Sequence, residues 1–412
     1  MGVEVATGVR ISADIHDAPP SDGDPGPEAL RDLFLLDPDV VFLNHGSFRA
    51  CPRPVFDVYQ SWQRELEWQP VEFLQRLGAA LLDEARTRLA AYVNAAPDDL
   101  VFVPNATIGL NVVARSLPLQ PGDEILATDH EYGALDLTWA HVCRKTGARY
   151  VRHPIPVPLT GTPEELAEAL WAAVTPRTRV LFLSHVTSPT ALTFPVAEIC
   201  HRAREAGILS IVDGAHVPGH LPLDLTAIGA DAYSGNCHKW LCAPKGSAFL
   251  HVRPEHHAVV EAMTVSWGWG EEEATFVTRN QRQGTHDLAA FLAVPAAIDF
   301  QAEHGWDAVR ARCHALASDA RARLATLTGL EPLAPDDPTW FAQMVAAPLA
   351  VGDPVDLKRR LYDEHRVEVP ITVWNGRPLL RVSCQGYNAP RDVDALIQAL
   401  IELGVGHKDG PG

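Results

Sequence analysis

From Leu100 onward, short runs of β-branched or apolar residues alternate with segments whose apolar residues recur every three or four positions. Alternation of this kind is typical of a wound α/β sheet, in which helices join parallel strands through right-handed crossovers. The helices are predicted at segments such as 106–116, 164–174 and 196–206. Seven strands of one large sheet are predicted at 100–103, 124–127, 149–152, 179–184, 208–212, 230–233 and 247–252.

The flanking parts of the chain predict a second, smaller domain. Helices at 55–69 and 73–93 precede the sheet, and a long helical region at 287–327 follows it and joins the two domains. The last hundred residues mix three strands with two helices: strands at 341–347, 367–371 and 379–384, helices at 354–365 and 392–403. We therefore expect a flexible lead-in at 1–27, a large α/β domain at 28–300 and a small α+β domain at 301–412.

Composition restricts the partners. The formal net charge is −18, from 34 basic and 52 acidic residues, which argues against binding to nucleic acid or to an anionic membrane. No apolar run is long enough to span a bilayer, and no secretory signal is visible at the N-terminus. The seven cysteines are scattered and form no Cys-x-x-Cys. A small-molecule partner and a cytoplasmic location are expected.

A carboxylate ends one of the predicted strands. Asp213 follows the apolar run at 208–212 and is followed by Gly214. Ligands of open α/β sheets bind at such strand ends, and a buried carboxylate there needs a cationic partner such as a protonated pyridine nitrogen. The alternative is a strand-end turn former with no ligand.

Lys239 lies 26 residues further on, shortly after the next predicted strand. A lysine amine forms an imine with an aldehyde and carries protons when it is released. Only five lysines occur in the chain, so few could hold such a group. The alternative is a lysine whose stem packs on Trp240 while its ammonium group stays in solvent.

A third feature joins a strand to a helix at Pro104–Gly109. The free amides of a helix start, together with the positive end of its dipole, bind phosphate. An ordinary cap by Asn105 or Thr107 is the alternative.

Taken in order, these features resemble the class V branch of fold-type I pyridoxal-phosphate (PLP) enzymes. The resemblance extends from about residue 43 to 403, and its most specific stretches are VDGAH at 212–216 and HKWLCAPKG at 238–246. Within the branch the sequence is most similar to isopenicillin N epimerase-like proteins, through FLNHGSF at 42–48, HEYGA at 130–134 and SHVTSPT at 184–190. The resemblance implies PLP as cofactor and the fold-type I architecture, a large, mainly parallel sheet domain with a small C-terminal α+β domain.

The resemblance also implies roles for single residues. Lys239 is expected to hold PLP as a Schiff base and to move protons in catalysis, while Asp213 binds the pyridine nitrogen. The other implied cofactor contacts are His216 and Thr187 near the ring hydroxyl, and Ala106, Thr107, Asn236 and His238 at the phosphate. Tyr132 is aligned with the residue that stacks on the ring, with His130 as the alternative.

Substrate and subunit contacts follow from the same resemblance. Arg381 resembles the arginine that binds a substrate α-carboxylate, for which a planar guanidinium is well suited, although a surface strand arginine is the alternative. Asn44 and His45 are expected to contact substrate. Gly284 and Thr285 resemble the loop that reaches the phosphate of a neighbouring subunit, which implies a homodimer with shared active sites.

Two other motifs can be rejected. Gly214–Gly219 has the glycine spacing of a P-loop, but His220 and Leu221 stand where Lys and Ser/Thr are needed. His216 and His220 are four residues apart, yet Pro218 interrupts any helix there, so no metal site is predicted. A nicotinamide dehydrogenase is disfavoured because no Gly-x-Gly-x-x-Gly follows a strand.

Several reactions begin with loss of the Cα proton from an amino acid bound to PLP. We expect epimerisation of an amino acid or an amino-acid-derived substrate, with β-eliminating C–S lysis of a cysteine conjugate or sulfoxide, or transamination, as alternatives. Cysteine desulfurases of this class need a nucleophilic cysteine shortly before the carboxylate-binding arginine. No cysteine lies between Cys313 and Cys384 here, so desulfurase activity is disfavoured. A catalytically silent binding protein with this fold would be expected to lack Lys239. The physiological substrate is not predicted.

Overall fold

The computed structural model describes residues 23–270 and 274–406, so most of the predicted lead-in at 1–27 lies outside the described residues. The strands are β1 Val41–Phe42, β2 Leu100–Val103, β3 Glu124–Thr128, β4 Arg149–His153, β5 Thr178–Ser184, β6 Leu209–Asp213, β7 Ala232–Asn236, β8 Ala248–Val252, β9 Met344–Pro348, β10 Val367–Glu368, β11 Ile371–Trp374 and β12 Arg377–Ser383.

The α-helices of the described residues surround these strands. They are α1 Pro27–Arg31, α2 His45–Phe48, α3 Arg53–Trp68, α4 Gly78–Tyr92, α5 Ala106–Ser116, α6 Gly133–Thr146, α7 Pro163–Trp171, α8 Val196–Glu205, α9 Leu225–Ile228, α10 Phe276–Gln281, α11 Ala289–Leu292, α12 Val294–Glu303, α13 Trp306–Thr328, α14 Pro354–His365 and α15 Pro390–Glu402. A π-helical segment, Glu72–Leu77, leads directly into α4.

The large sheet has seven strands in the order β2-β8-β7-β6-β5-β3-β4. Strands β3 to β7 run parallel, and β8 is antiparallel to both of its neighbours. Strands β3 and β5 are buried along nearly their whole length, which explains why their sequences are mainly apolar and do not alternate with polar residues. The predicted α/β fold with a mainly parallel seven-stranded sheet is confirmed.

One strand of this sheet was predicted two to three residues too early. The prediction placed it at 230–233, whereas β7 is Ala232–Asn236. Its second half contains Gly235 and Asn236, which have low strand propensity, but pairing with β6 and β8 holds them in the sheet.

The C-terminal part has an antiparallel sheet in the order β11-β12-β9, and α13 packs against β9. The single strand predicted at 367–371 was wrong, because the chain divides there into β10 and β11 around Pro370. Strand β10 pairs in parallel with β1, so residues near the start of the described chain join the C-terminal part. The domain boundary at residue 300 remains a prediction.

All seven cysteines are free thiols. Within the described ranges, no helix is both long and apolar enough to cross a membrane. The same residues contain no His, Cys, Asp and Glu grouping suited to a metal ion.

Candidate active site

The candidate residues gather at one edge of the large sheet, where the parallel strands end. Strand β6 ends in Asp213, and β5, its neighbour, ends in Ser184, whose Cα is paired with that of Asp213. Strand β7 ends in Asn236 and leads to Lys239, while β3 leads to the loop that carries Tyr132. Because parallel strands share a direction, their carboxyl ends form one crevice.

Lys239 is partly buried, with its amine 3.0 Å from Nε2 of His216. Nδ1 of His216 lies 3.3 Å from the indole nitrogen of Trp240, which can only donate, so Nδ1 is the acceptor. Burial lowers the pKa of His216 well below its usual value, and the neutral ring then carries its proton on Nε2. Nε2 can therefore donate to Nζ only when the amine has a free lone pair.

The pKa of Lys239 agrees with this assignment. Burial, reinforced by the positive charge of Arg381, lowers it to about 7, while Asp213 acts in the opposite direction. An amine with such a pKa is partly neutral near pH 7 and can act as a nucleophile or a base.

Trp240 fixes the backbone beside this amine. His220 stacks on the indole at 4.1 Å with an interplanar angle of 7°, and His45 packs on it at 5.0 Å. A Cβ on Gly219 would lie 2.4 Å from the backbone of Trp240, and Gly219 has a φ of +83°. Glycine at that position is what allows the two segments to approach each other.

Asp213 is buried and accepts a hydrogen bond from the amide of Ala215 at 2.9 Å. Burial raises the pKa of its carboxyl, opposed by the Ala215 bond and by Lys239. Within the described residues Asp213 belongs to no ion pair, so a cationic ligand would stabilise it.

A second carboxyl near Asp213 was not predicted to have a role. Glu131 is buried and accepts hydrogen bonds from Thr128 at 2.6 Å and Ser184 at 2.7 Å. Burial, opposed by these bonds and reinforced by the charge of Asp213, raises its pKa to about 8. A carboxyl with a raised pKa is protonated more easily than an ordinary glutamate, and the only signal for Glu131 in the sequence was its position in the HEYGA motif.

The start of α5 lies at the same edge. The side chain of Asn236 accepts a hydrogen bond from the amide of Ala106 at 2.8 Å, so these two predicted phosphate ligands contact each other. Asn105 caps the helix through the amide of Ile108. Nδ1 of His238 is buried and has no hydrogen-bond partner among the described residues. A bound ligand could supply that partner.

Arg381 is a buried cation on β12. Its guanidinium donates to the carbonyl and hydroxyl oxygens of Ser188, at 2.7 and 3.2 Å, and to the hydroxyl of Ser47 at 2.7 Å. Nε has no partner, and none of the ion pairs among the described residues includes this arginine. Burial lowers its pKa to about 10. The surface-arginine alternative is excluded, because only 4% of Arg381 is exposed.

The two residues considered for ring stacking differ in position. His130 is fully buried, with Nδ1 2.8 Å from the Thr190 hydroxyl and Nε2 2.8 Å from the carbonyl of Ile155. Tyr132 caps α6 and is 44% exposed. Only Tyr132 therefore has a ring face open to a ligand.

Three predicted site residues have contacts that differ from the prediction. Thr187 is fully buried, and its hydroxyl bonds to Thr190 and to the backbone of Leu192, which stabilises the loop after β5. His45 is also buried, with Nδ1 2.9 Å from the Tyr387 hydroxyl and Nε2 3.0 Å from the side-chain amide nitrogen of Gln385.

Both groups are thus saturated by protein, and we assign positioning roles to Thr187 and His45. The third residue, Asn44, donates to Glu368 at 2.8 Å while its buried Oδ1 has no partner, so it retains an acceptor for substrate. Gln385 and Tyr387, which contact His45, were not predicted to have a role.

Gly284 and Thr285 are exposed and line a surface groove of about 620 Å³ together with Gly78, Trp267 and other residues. Gly284 has a φ of +97° and open space around the position of a Cβ. This exposed position is compatible with a contact to another subunit.

Comparisons with known proteins agree with this geometry. Residues 50–396 match the model of the family described as Aminotransferase class-V. The chain is 42% identical to the isopenicillin N epimerase of Amycolatopsis lactamdurans, covering 90% of this chain and 97% of that protein. It is 39% identical to the isopenicillin N epimerase of Streptomyces clavuligerus, over 91% and 98%.

Solved structures share the architecture. A mutant of C-DES, with glycine covalently linked to its PLP cofactor, superposes with a TM-score of 0.77 and 22% identity, covering 88% of this chain and 96% of that one. This likeness establishes the fold-type I architecture.

Proposed function

This chain belongs to the class-V aminotransferase family of PLP enzymes, and from that premise we propose that it inverts the Cα centre of an amino acid or an amino-acid-derived substrate. The observation that carries the proposal is a set of three side chains at the sheet edge. Among the described residues Asp213 belongs to no ion pair and Arg381 contacts no carboxylate, while the amine of Lys239 has a lowered pKa. Each group lacks what PLP and an amino acid would supply.

The residues fit the cofactor. Asp213 would hold the protonated pyridine nitrogen, and Lys239 would hold the aldehyde carbon covalently. Thr107 and the unpartnered Nδ1 of His238 are the groups we assign to the phosphate, and the open ring of Tyr132 to the cofactor face. PLP supplies the electron sink that acidifies the Cα–H bond of a bound amino acid.

The chain supplies orientation and proton transfer. Arg381 is fixed by Ser188 and Ser47 and would bind the substrate carboxylate through its guanidinium. The amine of Lys239, when free, would accept the Cα proton, for which its lowered pKa is suited. His216 keeps the amine oriented.

The relatives at 42% and 39% identity, both isopenicillin N epimerases, support a substrate of that kind. We propose a peptide-like substrate with a terminal α-aminoadipyl group, and a homodimer in which Gly284 and Thr285 complete the partner's phosphate site. The seven free thiols support a reducing compartment such as the cytoplasm.

Products formed in deuterated water test the reaction type. Candidate substrates are peptides with an L- or D-aminoadipyl terminus and cysteine conjugates. We expect deuterium at Cα and inversion, with no keto acid. A lyase would release pyruvate and ammonia, and an aminotransferase would form a keto acid only when an acceptor is present. Pyruvate in proportion to substrate consumed, without inverted amino acid, would overturn the proposal.

A further inference from the structure

Inversion at Cα requires that the proton leave one face of the carbon and return to the other. Lys239 approaches the site from the end of β7, whereas Tyr132 follows β3. In the sheet order, β6 with Asp213 lies between these two strands. A ring bound to Asp213 would therefore lie between the segment that carries Lys239 and the loop that carries Tyr132.

Both groups also interact electrostatically with Arg381, the proposed carboxylate-binding residue. The charge of Arg381 contributes to the lowered pKa of Lys239, and Tyr132 interacts electrostatically with Arg381. A substrate whose carboxylate is held by Arg381 would have its Cα one bond away from that carboxylate. Cα would then be close to both side chains.

Four other titratable side chains near this edge are already engaged, and His238 is the group assigned to the phosphate. His130 and His45 have both ring nitrogens in hydrogen bonds. Glu131 is held by two hydroxyl groups, and His216 is bonded to Lys239 itself. Tyr132, in contrast, is 44% exposed.

We propose that the Tyr132 phenol is the second proton carrier, opposite Lys239. This inference rests on the proposed function. In one direction the Lys239 amine takes the Cα proton and becomes an ammonium, while the phenol gives its proton to the other face and becomes a phenolate. Exchange of protons with solvent restores both groups. In the reverse reaction the phenolate accepts the Cα proton and the ammonium donates one. Neither direction needs an oxidant or a reductant.

The test compares Tyr132→Phe with the parent enzyme in deuterated water, starting from each enantiomer separately. We expect inversion to fall by about 100-fold or more, the usual contribution of a positioned acid or base. The variant should still exchange the Cα proton of one enantiomer with retention, because Lys239 remains. PLP affinity, measured by absorbance titration, should change by less than about twofold, since the aromatic ring is kept.

Leu137→Ala is the matched control, because Leu137 is an exposed residue of the same helix, and it should invert substrate normally. Inversion at the parent rate by Tyr132→Phe would overturn the inference and leave the proposed function intact. Loss of PLP from Tyr132→Phe would also overturn it, because the hydroxyl would then serve cofactor binding. If the parent enzyme makes pyruvate and no inverted product, the proposed function itself fails.

Discussion

At the scale of single residues, the site depends on how the protein controls the charge of Lys239. Burial and the nearby guanidinium of Arg381 favour the neutral amine more strongly than Asp213 favours the ammonium. The tautomer of His216, fixed by Trp240, offers a donor to that neutral amine. These contacts provide a nucleophilic lysine without a separate base.

The pKa of Lys239 predicts how the protein without cofactor captures PLP. The reactive form is the neutral amine, whose fraction grows as pH rises and is nearly complete above the pKa. The capture rate, followed by absorbance in a stopped-flow instrument, should rise with pH up to about 7 and then level off. Capture by a free lysine derivative under the same conditions is the control, because it includes the titration of PLP. A rate that keeps rising beyond about pH 9, as for an ordinary lysine, would contradict the account.

The main chemical groups could be predicted from the sequence because their chemistry is distinctive. A lysine, a strand-end aspartate and a strand arginine retain recognisable neighbours in the chain. The contacts of Thr187 and His45 could not be predicted, since their partners, Leu192 and Tyr387, depend on how loops fold. The raised pKa of Glu131 likewise arises from burial, which one sequence does not show.

At the scale of elements, regular patterns gave accurate bounds. Helix α5 was predicted at its observed limits, 106–116, because Asn105 caps it and its apolar residues repeat on one face. Helix α14 was likewise predicted at 354–365, and its start is capped by Asp353. Helix α6 was not predicted, although Leu135, Trp139 and Val142 have helical spacing.

The elements that were misplaced are those determined by distant partners. Strand β7 extends through Gly235 and Asn236 because β8 pairs with it. Strand β10 pairs with β1, more than 300 residues earlier in the chain. The turn between β11 and β12 has Asn375 and Gly376 at positive φ, which suits a tight hairpin. This hairpin was not predicted, although Asn-Gly is typical of such turns.

At the scale of the whole molecule, the exposed groove around Gly284 and Thr285 is the surface on which we propose that a second subunit binds. Trp267 on its rim is 86% exposed, which is unusual for a large aromatic side chain. A second subunit covering this groove would bury Trp267 and bring the loop to the partner's phosphate.

Mixing two defective variants tests whether the loop acts in the partner's site. Lys239→Ala removes the amine, and Thr285→Asp places a negative charge against the phosphate, so each homodimer should be inactive. A mixed dimer contains one site with an intact lysine and an intact loop from the other subunit. After exchange of subunits at equal amounts, activity should return to about a quarter of the parent value, since half the dimers are mixed and each has one working site. No recovery, with subunit exchange verified by mass, would show that the loop serves its own subunit.

The central claim is that Lys239 holds PLP at the sheet edge beside Asp213. Borohydride reduction fixes the cofactor to whichever amine holds it, and mass spectrometry of the resulting peptides identifies that amine among five lysines. We expect a yellow protein whose visible absorbance disappears on reduction, with the added mass on Lys239 and none in Lys239→Ala. The added mass on Lys145, Lys245 or another lysine, or full visible absorbance in Lys239→Ala, would contradict the account.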